Sequence, residues 1–189
     1  GDKDAVDVAN GAVAVGTAHN HARVPVAKGQ AMPAWDPRPL LAAGITYCSS
    51  AMGADHTAGL VVDPAISGEA AAVASQEVQI INALCDTSGF CMFLGPTIDE
   101  HRNFYSIMFN EELSNEQLAD IGWQCLLDEW EFNDKAGFTV EDDDMAACLK
   151  EEPIGENKDR VFHISAEHIA MAKVRQPPTE NFFHASPAG

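Results

Sequence analysis

The stretch Ser67-Gly68-Glu69-Ala70-Ala71-Ala72-Val73-Ala74-Ser75-Gln76-Glu77-Val78-Gln79-Ile80-Ile81-Asn82-Ala83-Leu84-Cys85-Asp86-Thr87-Ser88-Gly89 decides the fold class. Ala74, Val78, Ile81 and Cys85 recur at the spacing that aligns side chains on one face of an α-helix. Ser67 is placed to cap the first turn, and Asp86-Thr87-Ser88-Gly89 supplies the polar residues and the glycine that stop a helix. A helix is expected from about Gly68 to Leu84.

Towards the C-terminus the same signals repeat. A second helix is expected over Asp99 to Phe109. A third begins at Ser114-Asn115-Glu116-Gln117, a capping box, and runs through Leu118, Ile121, Cys125 and Leu126 to Trp130, with Gly137 ending it. Thr139-Val140-Glu141-Asp142 reads as the start of a fourth short helix, and Ser165 caps a fifth through Ala172. Towards the N-terminus, Val24 to Lys28 is strand-like. Met32-Pro33-Ala34-Trp35-Asp36-Pro37-Arg38-Pro39 cannot be helical, because its prolines fix φ and push their predecessors into extended geometry. Trp35 is the natural anchor for that segment. The expected architecture is all-α and multihelical over residues 24–175, with one or two short strands. A poorly patterned segment, 1–23, and an extended tail, 176–189 with Pro178 and Pro187, flank it.

A chain of 189 residues that is 46% hydrophobic fits one domain, or two small lobes sharing a core, with enough apolar residues for a sizeable core. No run of about 18 apolar residues occurs, so no membrane-spanning helix is expected. Gly1-Asp2-Lys3-Asp4 is not a secretion signal, and Gly1 in place of Met is expected of a processed or excised piece. The formal charge of -18 is unevenly placed, with 16 acidic and 3 basic side chains in residues 99–152. That field repels phosphate backbones and anionic lipid, which argues against nucleic-acid and membrane partners. The acidic half reads as a solvated face or as a docking surface for a basic partner. Five cysteines with no CxxC are no disulfide framework, and they fit a reducing cytoplasm. The same spacing excludes a self-sufficient zinc ribbon or ferredoxin-like cluster.

Four places can carry chemistry, and each also has a structural reading. Gly44 to Gly59 is rich in small residues, so its backbone can approach an anion or cofactor, or simply form a loop. Within it, His56 beside Asp55 is of the residue type suited to proton transfer, or it is a satisfied structural histidine. In Asp86-Thr87-Ser88-Gly89-Phe90-Cys91, Asp86 can accept hydrogen bonds from a heterocycle and Cys91 can offer a thiolate to iron. The structural alternative there is a helix C-cap followed by a buried cysteine. Arg38 in Trp35-Asp36-Pro37-Arg38 can grip a phosphate or pin a loop. Glu141-Asp142-Asp143-Asp144 can hold a hard cation, although consecutive acids diverge and suit a helix start better.

The order of these segments is more specific than any one of them. Lys28-Gly29-Gln30, Pro33-Ala34-Trp35-Asp36-Pro37-Arg38, Gly44-Ile45-Thr46-Tyr47, Gly53-Ala54-Asp55-His56-Thr57-Ala58-Gly59, Asp86 to Cys91, and Phe132-Asn133-Asp134-Lys135-Ala136-Gly137-Phe138 followed by Asp142-Asp143 together resemble the aldehyde ferredoxin oxidoreductase family. The resemblance covers roughly residues 24–153 and matches the last third of those enzymes. It implies a multihelical fold and a tungsten (or molybdenum) bis-pterin with a nearby [4Fe-4S] cluster. It also implies oxidation of aldehydes to carboxylic acids and delivery of electrons to a ferredoxin-like carrier. The family's DxxGxC-type motif matches Asp86 to Cys91, making Asp86 a pterin ligand and Cys91 the fourth cysteine of the cluster. The GAxH-type motif matches Gly53 to His56, making His56 the proton-handling residue. The family's CxxCxxxC segment and its pterin-cradling β domain have no counterpart here, so a missing N-terminal portion or companion subunit is expected as partner. After Asp142-Asp143 the family's Leu-Pro pair is replaced by Asp144-Met145, which leaves the subfamily and the substrate end open. The competing readings are a cofactor-free helical binding or scaffold module, and a relative that reduces a thioester or an aromatic ring.

Overall fold

In a computed structural model, which describes residues 2–187, eight helices and one short hairpin form the chain. They are α1 (Lys3–Ala9), α2 (Ala12–Ala18), β1 (Val26–Ala27), β2 (Gln30–Ala31), α3 (Leu41–Ser49), α4 (Gly68–Ser88), α5 (Ile98–Phe109), α6 (Asn115–Ala136), α7 (Ala147–Glu151) and α8 (Ala166–Ala172). Single 3-10 turns lie at His56–Ala58, Met92–Leu94 and Phe182–His184. The expected multihelical all-α class is what the chain adopts.

α4 is the axis, and α3, α6 and α8 pack around it. Its Ile80, Ile81 and Leu84 meet Leu118, Leu126 and Trp130 of α6. Burying each of these side chains is worth about 1.5–3 kcal/mol, so this seam supplies much of the core's stability. The seam closes tightly because Gly122 lacks a side chain. A Cβ there would sit 2.3 Å from the Ile80 carbonyl oxygen.

Helix ends follow the sequence signals closely. Thr97 and Ser114 each form a complete capping box, with Glu100 and Gln117. Gly137 ends α6 in the left-handed conformation. α4 runs to Ser88, four residues past the expected end, so Asp86 lies in its last turn. Gly89 closes it at φ 73°, and the amides of Gly89 and Phe90 donate to the carbonyls of Asp86 and Cys85. This is the paired C-terminal motif that satisfies orphan carbonyls.

Three expectations are corrected. Leu41–Ser49, most of it in the segment expected to be a loop, is helix α3, and every residue of it is buried. Thr139 starts a turn rather than a helix: Asp142 reaches back to accept its amide at 2.8 Å, and the next helix begins only at Ala147. Residues 3–18, weakly patterned in sequence, form α1 and α2, in which only Gly16 is buried. The tail is strapped along α4 by Gln76, which donates to the carbonyls of Ala172 and Val174 and accepts from the Gln176 amide at 2.8 Å. Phe182 is buried in the core that α4 and α6 share.

The strand-like piece is a two-residue hairpin in which Val26 pairs with Ala31 and Ala27 with Gln30. Lys28 and Gly29 turn it with φ of 50° and 75°, both positive, as a type I′ turn requires. That turn sends Lys28 inward. Its ammonium reaches Asp143 at 2.5 Å and the Cys48 carbonyl, while Lys173 takes the other Asp143 oxygen at 2.8 Å. The hairpin, the 139–144 turn and the end of α8 are thereby tied at one buried carboxylate.

Candidate functional site

The helix end that carries Asp86 also releases Cys91. Once Gly89 has reversed the chain, Phe90 packs edge-on against His101 and Phe104 of α5 at 5.4 and 5.0 Å. Cys91 follows at the start of the Met92–Leu94 turn, its thiol exposed and making no capping hydrogen bond. Its neighbour Cys85 is buried and donates to the Phe90 carbonyl at 3.3 Å. Burial, and then the charges of Asp86 and Cys91, push the Cys85 thiol upward. Of these two cysteines, Cys91 is the one placed to reach a group outside the chain.

Asp86 lies exposed beside a cavity of about 20 Å³ lined by Ser50, Met52, Ala58, Gln79, Asn82, Ala83, Leu126 and Glu129 as well. Cys91 does not line this cavity, so the two residues share a helix end without sharing that hollow. Burial, and then the charge of Asp55, raise the Asp86 carboxyl above its ordinary 3.8. Glu129 on α6 is raised likewise, by burial and then by Asp86. Asp86 and Glu129 line the same cavity.

His56 sits on the turn that reaches this cavity, since Ala58 of that turn lines it. Gly53 allows the approach. Its φ of 76° is left-handed, and a Cβ would lie 2.4 Å from the Ala27 carbonyl. Asp55 accepts from the Thr57 amide and hydroxyl, both at 2.8 Å, and its Oδ1 lies 3.8 Å from His56 Nδ1. Asn82 donates to the Thr57 carbonyl at 2.8 Å, which fastens the turn to α4. His56 remains partly open to solvent. An imidazole held beside a carboxylate and reachable from outside can accept and return a proton.

The other two candidates are structural. Arg38 forks onto Asp36, donates to the Glu152 carbonyl at 2.8 Å and pins the proline-rich segment to α7. Of the four acids 141–144, Asp143 is taken by two lysines, Asp142 by Thr139 and Asp144 by Lys150, so they do not converge on an ion. Sequence reasoning missed Gln79, Asn82 and Glu129. Gln76, Gln79, Asn82 and Asp86 do repeat at helical spacing, which marks a shared face without telling solvent from a neighbouring helix, and Glu129 has no such repeat.

The sequence model of a family described as "Aldehyde ferredoxin oxidoreductase, domains 2 & 3" matches residues 5–173. The chain belongs to the aldehyde ferredoxin oxidoreductase family. It is 28% identical over 153 residues to a tungsten-containing aldehyde ferredoxin oxidoreductase of Pyrococcus abyssi, covering 72% of this chain and 25% of that protein. It is 27% identical over 149 residues to the like-named protein of Thermococcus kodakarensis, covering 70% and 25%, and 27% over 143 residues to that of Pyrococcus furiosus, covering 68% and 24%. The chain spans about a quarter of the length of these relatives. The turn that follows Cys91 leaves apolar side chains uncovered: Phe93 is 86% exposed and Leu94 72%. Among its described residues, no helix is long and apolar enough to cross a membrane.

Proposed function

We propose that this chain forms one wall of a tungsten (or molybdenum) bis-pterin active site that oxidises aldehydes to carboxylic acids, the remainder being supplied by a missing N-terminal portion or a companion subunit. The observation that carries the reading is the release of Asp86 and Cys91 from one end of α4 in a chain of this family. The residues fit the group. Asp86 is an exposed carboxylate with two acceptor oxygens suited to the N–H edge of a pterin. Cys91 is an exposed thiol on an immobilised turn, suited to be the fourth ligand of a [4Fe-4S] cluster whose other three cysteines lie outside this chain.

When bound, the metal-pterin centre and the cluster would supply the two-electron oxidation of aldehyde and water to acid and the transfer of those electrons to a ferredoxin-like carrier. The chain's own contribution is to hold and to move protons. Asp86 orients the pterin edge, Cys91 fixes the cluster's position, and His56 takes up one of the protons released as aldehyde and water become acid. Asp55 holds the turn so that the imidazole stays aimed. Five unpaired cysteines support a reducing cytoplasm as the working compartment.

The test uses the complete assembly, recovered by copurifying the chain with a partner that carries CxxCxxxC. Cys91→Ser is expected to lower cluster iron and alter its paramagnetic spectrum. His56→Ala is expected to reduce turnover while tungsten and iron stay bound. Full iron content and an unchanged spectrum in the first variant would remove Cys91 as a ligand, and unchanged turnover in the second would remove the proton role.

A further inference from the structure

The N-terminal hairpin of helices gathers metal-binding side chains that the reading above leaves unused. Asp4 and Asp7, three residues apart, share one face of α1. His19 closes the far end of α2. Asn20 takes the left-handed φ of 49°, and the amides of His21 and Asn20 donate to the carbonyls of Gly16 at 2.8 Å and Thr17 at 3.3 Å. That paired helix ending sets where His19 stands. The short connection at Asn10-Gly11 folds α2 back along α1. One ligand atom from each of Asp4, Asp7 and His19 then lies within 4.8 Å of the other two.

Two carboxylates this close repel each other unless positive charge stands between them. A protonated His19 would answer by bonding one of them directly, yet no hydrogen bond or ion pair joins the imidazole to either among the described residues. Asp7 Oδ2 is closed off from solvent and has no hydrogen-bond partner there. An acceptor oxygen in that state is costly unless something binds it. The hairpin also lacks a core of its own. Of α1 and α2 only Gly16 is buried, while Val6, Val8 and Val13 are exposed. Helices of seven residues do not persist in water without packing or a tie, and elements too small for a core are held by cross-links or metals.

We infer that Asp4, Asp7 and His19 form a three-ligand site for one first-row divalent cation, Zn²⁺ fitting best, which clasps α1 to α2. One imidazole nitrogen with two carboxylates is a zinc ligand set, whereas Ca²⁺ and Mg²⁺ prefer oxygen alone. Two carboxylates match a charge of two. Bound to one zinc at about 2.0–2.2 Å, the ligand atoms would stand roughly 3.3–3.6 Å apart. Side chains at the surface close the remaining distance, about 1 Å, by small rotations. Three protein ligands leave a position for water. The clasp uses none of Asp86, Cys91 and His56, so it stands or falls apart from the pterin reading.

The tag-free chain, stripped of metal and with its accessible thiols alkylated, is titrated with ZnCl2 by calorimetry. One saturable Zn²⁺ per chain is expected, and CaCl2 in about hundredfold excess should not displace it. X-ray absorption at the zinc edge should show nitrogen and oxygen neighbours at about 2.0–2.2 Å, one of them an imidazole. His19→Gln and Asp7→Asn should each weaken binding by roughly tenfold or more. His21→Gln, an exposed histidine outside the trio, should leave it unchanged. Zinc should slow amide exchange over residues 3–18 by roughly tenfold or more in the wild type and not in His19→Gln, while exchange in α4 and α6 stays the same. Absence of saturable binding, a zinc shell without imidazole, an affinity indifferent to both His19→Gln and Asp7→Asn, or unchanged exchange over residues 3–18 would each overturn the clasp. A loss of cluster iron in Cys91→Ser would be untouched by that failure.

Discussion

His101 meets Phe90 edge-on, ring centroids 5.4 Å apart and planes at 75°, so a wholly buried imidazole on α5 props up the residue before Cys91. Its Nδ1 donates to the Thr97 carbonyl at 2.9 Å, and its Nε2 has no partner among the described residues. Burial, outweighing the Thr97 bond and the Glu100 charge, depresses its pKa below the ordinary 6.5. A depressed histidine contributes stability that is present above the unfolded value and is lost as pH falls through the folded one. Urea midpoints of the wild-type chain and of His101→Phe should therefore diverge progressively below pH 6.5, the wild type losing more. Parallel curves would mean that the imidazole stays solvated.

Gly122→Ala tests the α4–α6 seam. The new methyl would meet the Ile80 carbonyl oxygen at 2.3 Å, and a backbone atom cannot swing aside. A loss of about 2 kcal/mol is expected by chemical denaturation, in the range typical of overpacked cores. Gly137→Ala meets no atom within 4 Å, and there only the left-handed φ of 98° opposes the methyl. Its cost should be the smaller of the two.

Lys28→Met should cost about 3 kcal/mol, because it strips a buried partner from Asp143 and leaves the Cys48 carbonyl without its donor. Lys135→Met is the matched control. Its pairing with Glu131 is exposed on both sides, and such pairs contribute about 0.5 kcal/mol or less. Equal losses in the two variants would argue that the Lys28 pair is solvated.

Alkylation should rank the cysteines. Cys91 is exposed and should react first in the native chain, followed by the half-buried Cys125 and Cys148. Cys48 should react only on unfolding, since burial pushes its thiol up to about 12 despite the nearby Lys28. Mass spectrometry of a timed iodoacetamide series reads the order directly. Early labelling of Cys48 would contradict the packing of α3.

These residues also explain what could be seen beforehand. Helix α6 was legible because Ser114–Gln117 writes its capping hydrogen bonds into the sequence. Helix α3 was not. Each of its nine residues is buried, so it has no polar face and no amphipathic period to find, and Gly44, Thr46 and Tyr47 are poor helix formers. Asp86 and Cys91 stood out through their spacing, which a family resemblance made specific. Gln79, Asn82 and Glu129 did not, because a polar side chain on a helix looks the same whether it faces solvent or a neighbouring helix. Asp142 misled for a related reason: an acid three residues after a threonine forms the same local hydrogen bond in a turn as at a helix start.

Two side chains of α6 close the carbonyl end of α3. The Trp130 indole N–H donates to Ser49 at 2.8 Å and the Asn133 amide to Ala51 at 2.9 Å, just ahead of the Gly53–His56 segment. The arm bearing His56 is therefore rooted in a 22-residue helix rather than floating on the surface. Its amides should show deuterium-exchange lifetimes close to those of the central bundle, opening with it and not before. An imidazole on so slow an arm does not travel to meet a substrate. Whatever it serves has to be delivered to it.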